Sequence, residues 1–235
     1  MVNFQKKPNG SVTVVPSLLS CDRSDLLSAV RPILSNFSVA LMHVDAMDGR
    51  FVPSFGLCHK SLSNLRRAIE CSFASCPQFA VHLMVRRPSA FWHDFAAVGA
   101  SEIAIHFECD DGAAALARQI KSAGVRCCLA INPETKFSSC VHLLEHFSSI
   151  LIMGVKPGFG GQDILPWTVE KVRTAADHRS SCGLKYDICV DGGVRCENAA
   201  NLAEAGADRL IAGSAIFRSS CQKTAYGNLV SLLGG

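Results

Sequence analysis

Eight short apolar runs rich in β-branched residues recur along this chain, and most are separated by stretches whose apolar residues repeat at helical spacing. The runs lie near 12–17, 40–47, 79–85, 102–107, 126–131, 150–155, 186–190 and 209–212, and helical patterns fall at 24–34, 89–98, 113–122, 166–176 and 198–205. Strands that alternate with helices pair in parallel, because each connection must cross from one end of the sheet to the other. Eight such units predict an α/β fold, a (β/α)₈ TIM barrel, with an open doubly wound sheet as the alternative. Three helical stretches run into small-residue steps, Val98-Gly99-Ala100, Ala123-Gly124-Val125 and Ala205-Gly206-Ala207, where glycine suits a left-handed helix terminator.

The 235 residues match the ~250 typical of a single barrel. No Pro/Gly/Ser linker or charge block divides them, so residues 1–235 read as one domain with a short N-terminal extension at 1–11. A hydrophobic content of 49% supplies a large core, and a net charge of +3 is too small to imply a nucleic-acid partner. Lys6-Lys7 stand near the start without the apolar stretch of a signal peptide, and no apolar run approaches the ~20 residues that span a bilayer. A cytoplasmic protein without a membrane partner is expected. In that setting the 12 cysteines read as reduced residues, many of them buried, rather than as a disulfide framework.

Three segments that end β-runs carry the chemistry: His43-Val44-Asp45, His82-Leu83-Met84 and Val190-Asp191-Gly192-Gly193. Alternate side chains of a strand share a face, so His43 and Asp45 point the same way. In a closed barrel His82 and Asp191 converge on them, giving an N/O ligand set suited to one divalent ion, Zn²⁺ or Fe²⁺ first, with Mn²⁺ or Co²⁺ also compatible. Each histidine alone is more simply a hydrogen-bonded core residue. Two unpaired carboxylates inside a barrel mouth are harder to accommodate, and a shared cation relieves both.

Glycine-rich loops follow the last three runs: Pro157-Gly158-Phe159-Gly160-Gly161-Gln162, Gly192-Gly193 and Gly213-Ser214. Backbone amides in such loops cradle phosphate, and barrels frequently bind phosphate after strands seven and eight.

As a set, Pro16-Ser17-Leu18-Leu19-Ser20, His43 through Gly49, Phe51-Val52-Pro53, His82-Leu83-Met84-Val85, Asn132-Pro133, Pro157 through Gln162, Val190 through Val194 and Ala212 through Phe217 resemble the ordered motifs of ribulose-phosphate 3-epimerases. The resemblance runs from about Val14 to Phe217. It implies a barrel of the ribulose-phosphate-binding type that interconverts D-ribulose 5-phosphate and D-xylulose 5-phosphate by two-base proton transfer, with one divalent metal stabilising an enediolate. It places the metal on His43, Asp45, His82 and Asp191, the acid/base pair on Asp45 and Asp191, and substrate contacts on Ser17 and His82. Further substrate contacts fall on Gly158, Phe159, Gly160, Gly161, Asp191, Gly192, Gly193, Gly213 and Ser214. A phosphorylated ketose and further copies of the chain, as a homo-oligomer, are the partners it implies. Met47, Met84 and Met153 are pocket-wall candidates, with simple core packing as the alternative.

The chain departs from the family pattern at three places. The loop at Ser54 is about two residues shorter, and Ala80 and Cys189 stand where polar residues are usual two positions before His82 and Asp191. Both point inward one layer beneath the ligands, where polar partners ordinarily orient a metal's ligands; an altered metal preference is expected, softer if the Cys189 thiolate reaches the ion. Lys156 reads as a solvated lysine, with phosphate assistance as the alternative. A six-carbon ketose phosphate such as D-allulose 6-phosphate would suit the same carboxylates. A non-catalytic phosphosugar-binding barrel is the reading from a different class, and a Schiff-base aldolase lacks a lysine at a strand end beside the ligands.

Overall fold

Parallel strands flanked by helices are buried on both faces, which is why these runs are almost continuously apolar rather than alternating. In the computed structural model, which describes residues 12–234, they form β1 (Thr13–Pro16), β2 (Leu41–Met47), β3 (Gln78–Met84), β4 (Glu102–His106), β5 (Arg126–Ile131), β6 (Ser149–Met153), β7 (Asp187–Asp191) and β8 (Arg209–Ala212). The expected extension at 1–11 lies outside the described residues. Neighbours in chain order pair in parallel from β2 to β8, β8 pairs with β1, and a parallel bridge between Ser17 and His43 brings β1 to β2. The eight strands make the (β/α)₈ barrel expected from the alternation.

The surrounding helices are α1 (Leu26–Leu34), α2 (His59–Ser72), α3 (Trp92–Ala97), α4 (Ala113–Ser122), α5 (Thr168–Ser181), α6 (Cys196–Glu204), α7 (Ser214–Phe217) and α8 (Gln222–Leu232). Two 3₁₀ turns, Phe137–Ser139 and Val141–His146, replace a helix between β5 and β6. None of these helices is long and apolar enough to cross a membrane. Outward strand residues such as Met42, Val44, Leu83, Ile105, Leu129, Ile152 and Leu210 pack with Leu62, Ile69, Ile120, Val172 and Leu202 of the helices in one continuous core.

The glycine steps turn the chain back toward the barrel as expected. Gly99, Gly124 and Gly206 have φ of 88°, 80° and 106°. The residue after each donates its N–H to the carbonyl five residues earlier: Ala100 to Phe95 at 3.0 Å, Val125 to Ile120 at 3.3 Å and Ala207 to Leu202 at 3.1 Å. This is the Schellman closure, which satisfies end carbonyls and redirects the chain. Gly183 after α5, which no pattern flagged, does the same: its φ is 63° and the Leu184 N–H reaches the Arg179 carbonyl at 3.1 Å.

Inside the barrel, side chains stack in layers. The floor comes from the first residues of five consecutive strands, Glu102, Arg126, Ser149, Asp187 and Arg209. Glu102 accepts two hydrogen bonds from the Arg209 guanidinium, at 2.8 and 3.0 Å, one from Arg126 Nε at 3.1 Å and one from Ser149 Oγ at 3.1 Å. Arg126 also donates to Asp187 at 2.6 Å. Above lies an apolar layer of Val15, Leu41, Ala80, Ala104, Cys128, Leu151, Cys189 and Ile211. The histidines and aspartates occupy the top.

Burial alone would raise the Glu102 pKa, but Arg209 first, then Arg126 and Ser149, hold it below its ordinary value of 4.5. A carboxylate whose folded pKa is depressed contributes stability in full above the unfolded value and loses it as pH falls through the folded one. Removing one partner of a buried pair costs about 3 kcal/mol or more. Glu102→Gln should therefore lower unfolding stability in urea at pH 7 by about that amount and flatten the loss of stability below about pH 5. Parallel acid limbs for parent and variant would show that Glu102 does not carry this term.

Candidate metal centre and glycine-lined cleft

The register of β2 and β3 sets the first three members of the cluster. His43 and Asp45 are two residues apart and face inward, and Asp45 lies directly opposite His82. Asp191 ends β7 and reaches the same point from farther round the barrel. His43 Nε2 lies 3.2 Å from Asp45 Oδ1 and 3.6 Å from Asp191 Oδ2. His82 Nδ1 lies 3.3 and 3.6 Å from the same two oxygens. One ligand atom from each residue falls within 4.8 Å of all the others. The four residues predicted as ligands are thus brought together.

These separations fit a cation. An ion held about 2.1 Å from four ligands in a tetrahedron requires ligand atoms about 3.4 Å apart. His82 Nδ1 is completely buried and faces Asp45 and Asp191 at 3.3 and 3.6 Å without a formed hydrogen bond, so it can offer a lone pair to an ion at the centre once the proton held in the ion-free cage is displaced. Asp45 is oriented from its other side, where Ser17 Oγ donates to Oδ2 at 3.0 Å.

Without an ion, the four groups compensate one another as acid and base. Burial would depress both imidazole pKa values, yet the adjacent carboxylates overcome it: His43 is raised, and His82 is raised to about 9 by Asp191 and Asp45. Burial would raise the Asp45 pKa, and His43 and His82 instead hold it well below the usual carboxylate range. Protons and cations therefore compete for this cage.

A cleft opens above the cluster. Ser17, Asp45 and Asp191 line it together with Gly158, Phe159, Gly160, Gly161, Gly192, Gly193, Gly213 and Ser214. All the expected substrate contacts but His82 line this cleft; His82 is fully buried and His43 3% exposed, and neither lines it, so His82 does not reach the cleft as a substrate contact. Two glycines are required by space as well as conformation. A Cβ on Gly192 would sit 2.3 Å from Val155 Cγ2, and one on Gly193 would sit 2.5 Å from the Ile164 amide nitrogen; both have positive φ. Only a bare backbone fits at these two positions of the cleft wall.

Met84 and Met153 line the cleft, while Met47 packs with Val52 and Met84 at its edge. Lys156 is 77% exposed, which accords with a solvated lysine. The short loop near Ser54 folds back on the end of β2: Gly49 N–H reaches the Ser54 carbonyl at 3.1 Å, and Leu57 N–H reaches the Asp45 carbonyl at 2.8 Å. It places Val52 against Gly158 of the glycine loop. Ala80 and Cys189 lie in the apolar layer as their parity predicts. Burial, with Cys128 alongside, pushes the Cys189 thiol well above its usual range. A neutral thiol outside the four-residue cluster does not supply the soft ligand that the sequence allowed.

Two residues were missed. His106, at the end of β4, lies 2.8 Å from His82, Nε2 to Nε2, and its Nδ1 lies 3.0 Å from Glu108 Oε2. The signal was available: Glu102, Ala104 and His106 alternate inward along β4, so a histidine at the end of that strand must join the same layer as His82.

Fold and mouth together define a class, a barrel enzyme with its polar cluster and glycine loops at the C-terminal face, where barrel active sites lie. The model of the ribulose-phosphate 3-epimerase family matches residues 13–217. A ribulose-phosphate 3-epimerase of Escherichia coli strain K12 is 35% identical over 204 residues, covering 87% of this chain and 88% of its own. One of Treponema pallidum is 35% identical over 207 residues, covering 88% and 92%. Among solved structures, orotidine 5'-phosphate decarboxylase from Pyrococcus horikoshii superposes with a TM-score of 0.65 at 14% identity, covering 95% of this chain and all of that one, a likeness of fold alone. This chain belongs to the ribulose-phosphate 3-epimerase family, and by that membership it is an isomerase.

Because His82 titrates near 9 in the ion-free cage, Zn²⁺ must displace a proton from it at pH 7. Calorimetry in buffers of different ionisation enthalpy should show release of about one proton or more per Zn²⁺, with affinity rising toward pH 9. Binding without proton release would contradict this account of the cage.

Proposed function

We propose that this chain interconverts D-ribulose 5-phosphate and D-xylulose 5-phosphate. The observation that carries the reading is that Asp45 and Asp191, from strands on different sides of the barrel, open onto the one cleft that also holds the glycine loops. Inversion at C3 of a 2-ketose requires removal of a proton from one face and delivery to the other, which two carboxylates across a planar enediolate supply. The site's other end takes the phosphate on the backbone of Gly158, Phe159, Gly160, Gly161, Gly192, Gly193, Gly213 and Ser214.

Each side chain has a task in this scheme. Asp45 and Asp191 alternate as base and acid. Ser17, which already donates to Asp45 Oδ2 at 3.0 Å, holds that carboxylate in place and meets the sugar beside it. Met84 and Met153 furnish apolar walls that exclude water from the intermediate. A divalent ion on His43, Asp45, His82 and Asp191 would polarise the C2 ketone and stabilise the negative charge that develops there. The donor set, two imidazoles and two carboxylates, suits Zn²⁺ or Fe²⁺. The reading takes the chain as one barrel domain, working in the cytoplasm as a homo-oligomer.

The test is NMR of D-ribulose 5-phosphate in D₂O. Appearance of C3-deuterated D-xylulose 5-phosphate that chelation stops and Zn²⁺ or Fe²⁺ restores supports the reading; no exchange with any divalent metal overturns it. D-allulose 6-phosphate in the same assay shows which ketose has the larger kcat/KM. Asp191→Asn with matched metal content should lower kcat by about 10²–10⁴-fold. It should still exchange the C3 proton of one epimer, and equal residual exchange of both epimers would contradict the two-base scheme.

A further inference from the structure

His106 and Glu108 belong to no step of the scheme above, yet they are joined to the cage by an unbroken line of polar atoms. His82 Nδ1 faces Asp45 and Asp191, its Nε2 lies 2.8 Å from His106 Nε2, and His106 Nδ1 lies 3.0 Å from Glu108 Oε2. Both imidazoles are completely buried, and their rings lie nearly parallel, 24° apart in plane. The Phe51 ring covers His106 with centroids 4.6 Å apart, and the 2.8 and 3.0 Å separations are direct contacts with no room for an intervening water. Glu108 is anchored in turn: its Oε1 accepts from the Asn132 N–H at 2.9 Å and from the Thr135 hydroxyl.

The proton positions follow from what each group can donate. A carboxylate only accepts, so His106 must place its proton on Nδ1, toward Glu108. Its Nε2 is then a lone pair. Two lone pairs cannot face each other at 2.8 Å, so His82 Nε2 must carry a proton and donate it. In the neutral ring that binds an ion, this leaves His82 Nδ1, the buried atom facing Asp45 and Asp191, as the lone pair aimed at the cage.

We propose that Glu108, through His106, is a positioning residue that sets the tautomer of His82 and so presents Nδ1 to the metal. The inference rests on the metal reading of the cage and not on the sugar.

An amide at position 108 reverses the line. In Glu108→Gln the amide oxygen must stay on the Asn132 N–H, which only donates, so the NH₂ group faces His106 Nδ1. His106 then protonates on Nε2, donates to His82 Nε2, and drives the His82 proton onto Nδ1, where it blocks the ion. Glu108→Ala imposes no such order and leaves His106 free to keep the native tautomer. The near-isosteric variant should therefore be the worse one. Zn²⁺ affinity by chelator competition should fall about 10- to 100-fold in Glu108→Gln and less in Glu108→Ala. A merely structural role predicts the opposite ranking.

The parent protein provides a second reading that needs no variant. In the ¹⁵N-histidine spectrum of the Zn²⁺-loaded chain, His82 should carry its proton on Nε2 and His106 on Nδ1, with a nitrogen–nitrogen coupling across the bond between them. A His106 proton on Nε2, or a loss in Glu108→Ala that equals or exceeds that in Glu108→Gln, overturns the proposal. Neither readout involves a sugar. A chain that binds Zn²⁺ in this way and epimerises nothing would sustain the relay and overturn the proposed function.

Discussion

Two carboxylates and two imidazoles packed together at the mouth of an otherwise apolar barrel are the constraint around which this structure is arranged. Asp45 is 2% exposed and His82 is fully buried, and Asp191 is 13% exposed, so bulk water reaches little of this cluster. In such surroundings an isolated carboxylate is driven to neutrality, and a cluster persists only if its charges cancel. A proton on His82 contributes to this in the ion-free cage, and a divalent ion fits the same distances in another state. The chemistry proposed for the site uses that exchangeability: Asp45 stays ionised in its buried position because positive charge stands beside it.

The layers beneath hold the cluster in register. Glu102, Arg126, Ser149, Asp187 and Arg209 lock the starts of five strands through one hydrogen-bonded floor, and the small apolar layer above it transmits that register upward. Because successive inward positions are two residues apart, a slip of one residue in β2 or β3 would turn His43, Asp45 or His82 out of the barrel. The loops need precision of a different sort. At Gly192 and Gly193 an added Cβ would stand 2.3 and 2.5 Å from Val155 and Ile164, so these two positions of the cleft's wall admit only glycine.

Much of this could be read from the residues alone, for identifiable reasons. Strand periodicity placed His43 and Asp45 on one face, and the apolar runs located all eight strands to within about two residues, since burial on both sides leaves little freedom of composition. Gly99, Gly124 and Gly206 were legible because small residues flank them; Gly183, next to Cys182 and Leu184, lacked that context although it closes α5 in the same way. The fifth crossover could not be assigned a helix, and it is built from 3₁₀ turns. His106 and Glu108 escaped notice because their role exists only across strands: sequence shows each beside its chain neighbours, whereas the 2.8 Å contact of His106 with His82 joins residues 24 apart. The same limit left Cys189 as a candidate ligand until its place among Cys128, Leu151 and Ile211 was known.

The central claim is that the cage is a metal site made of two imidazoles and two carboxylates, and the most direct measurement is X-ray absorption at the zinc edge of the Zn²⁺-loaded chain. The account predicts a nitrogen and oxygen shell at about 2.0–2.2 Å with the outer-shell scattering of two imidazoles and no sulfur. A sulfur shell at about 2.3 Å, or the absence of imidazole scattering, would contradict it.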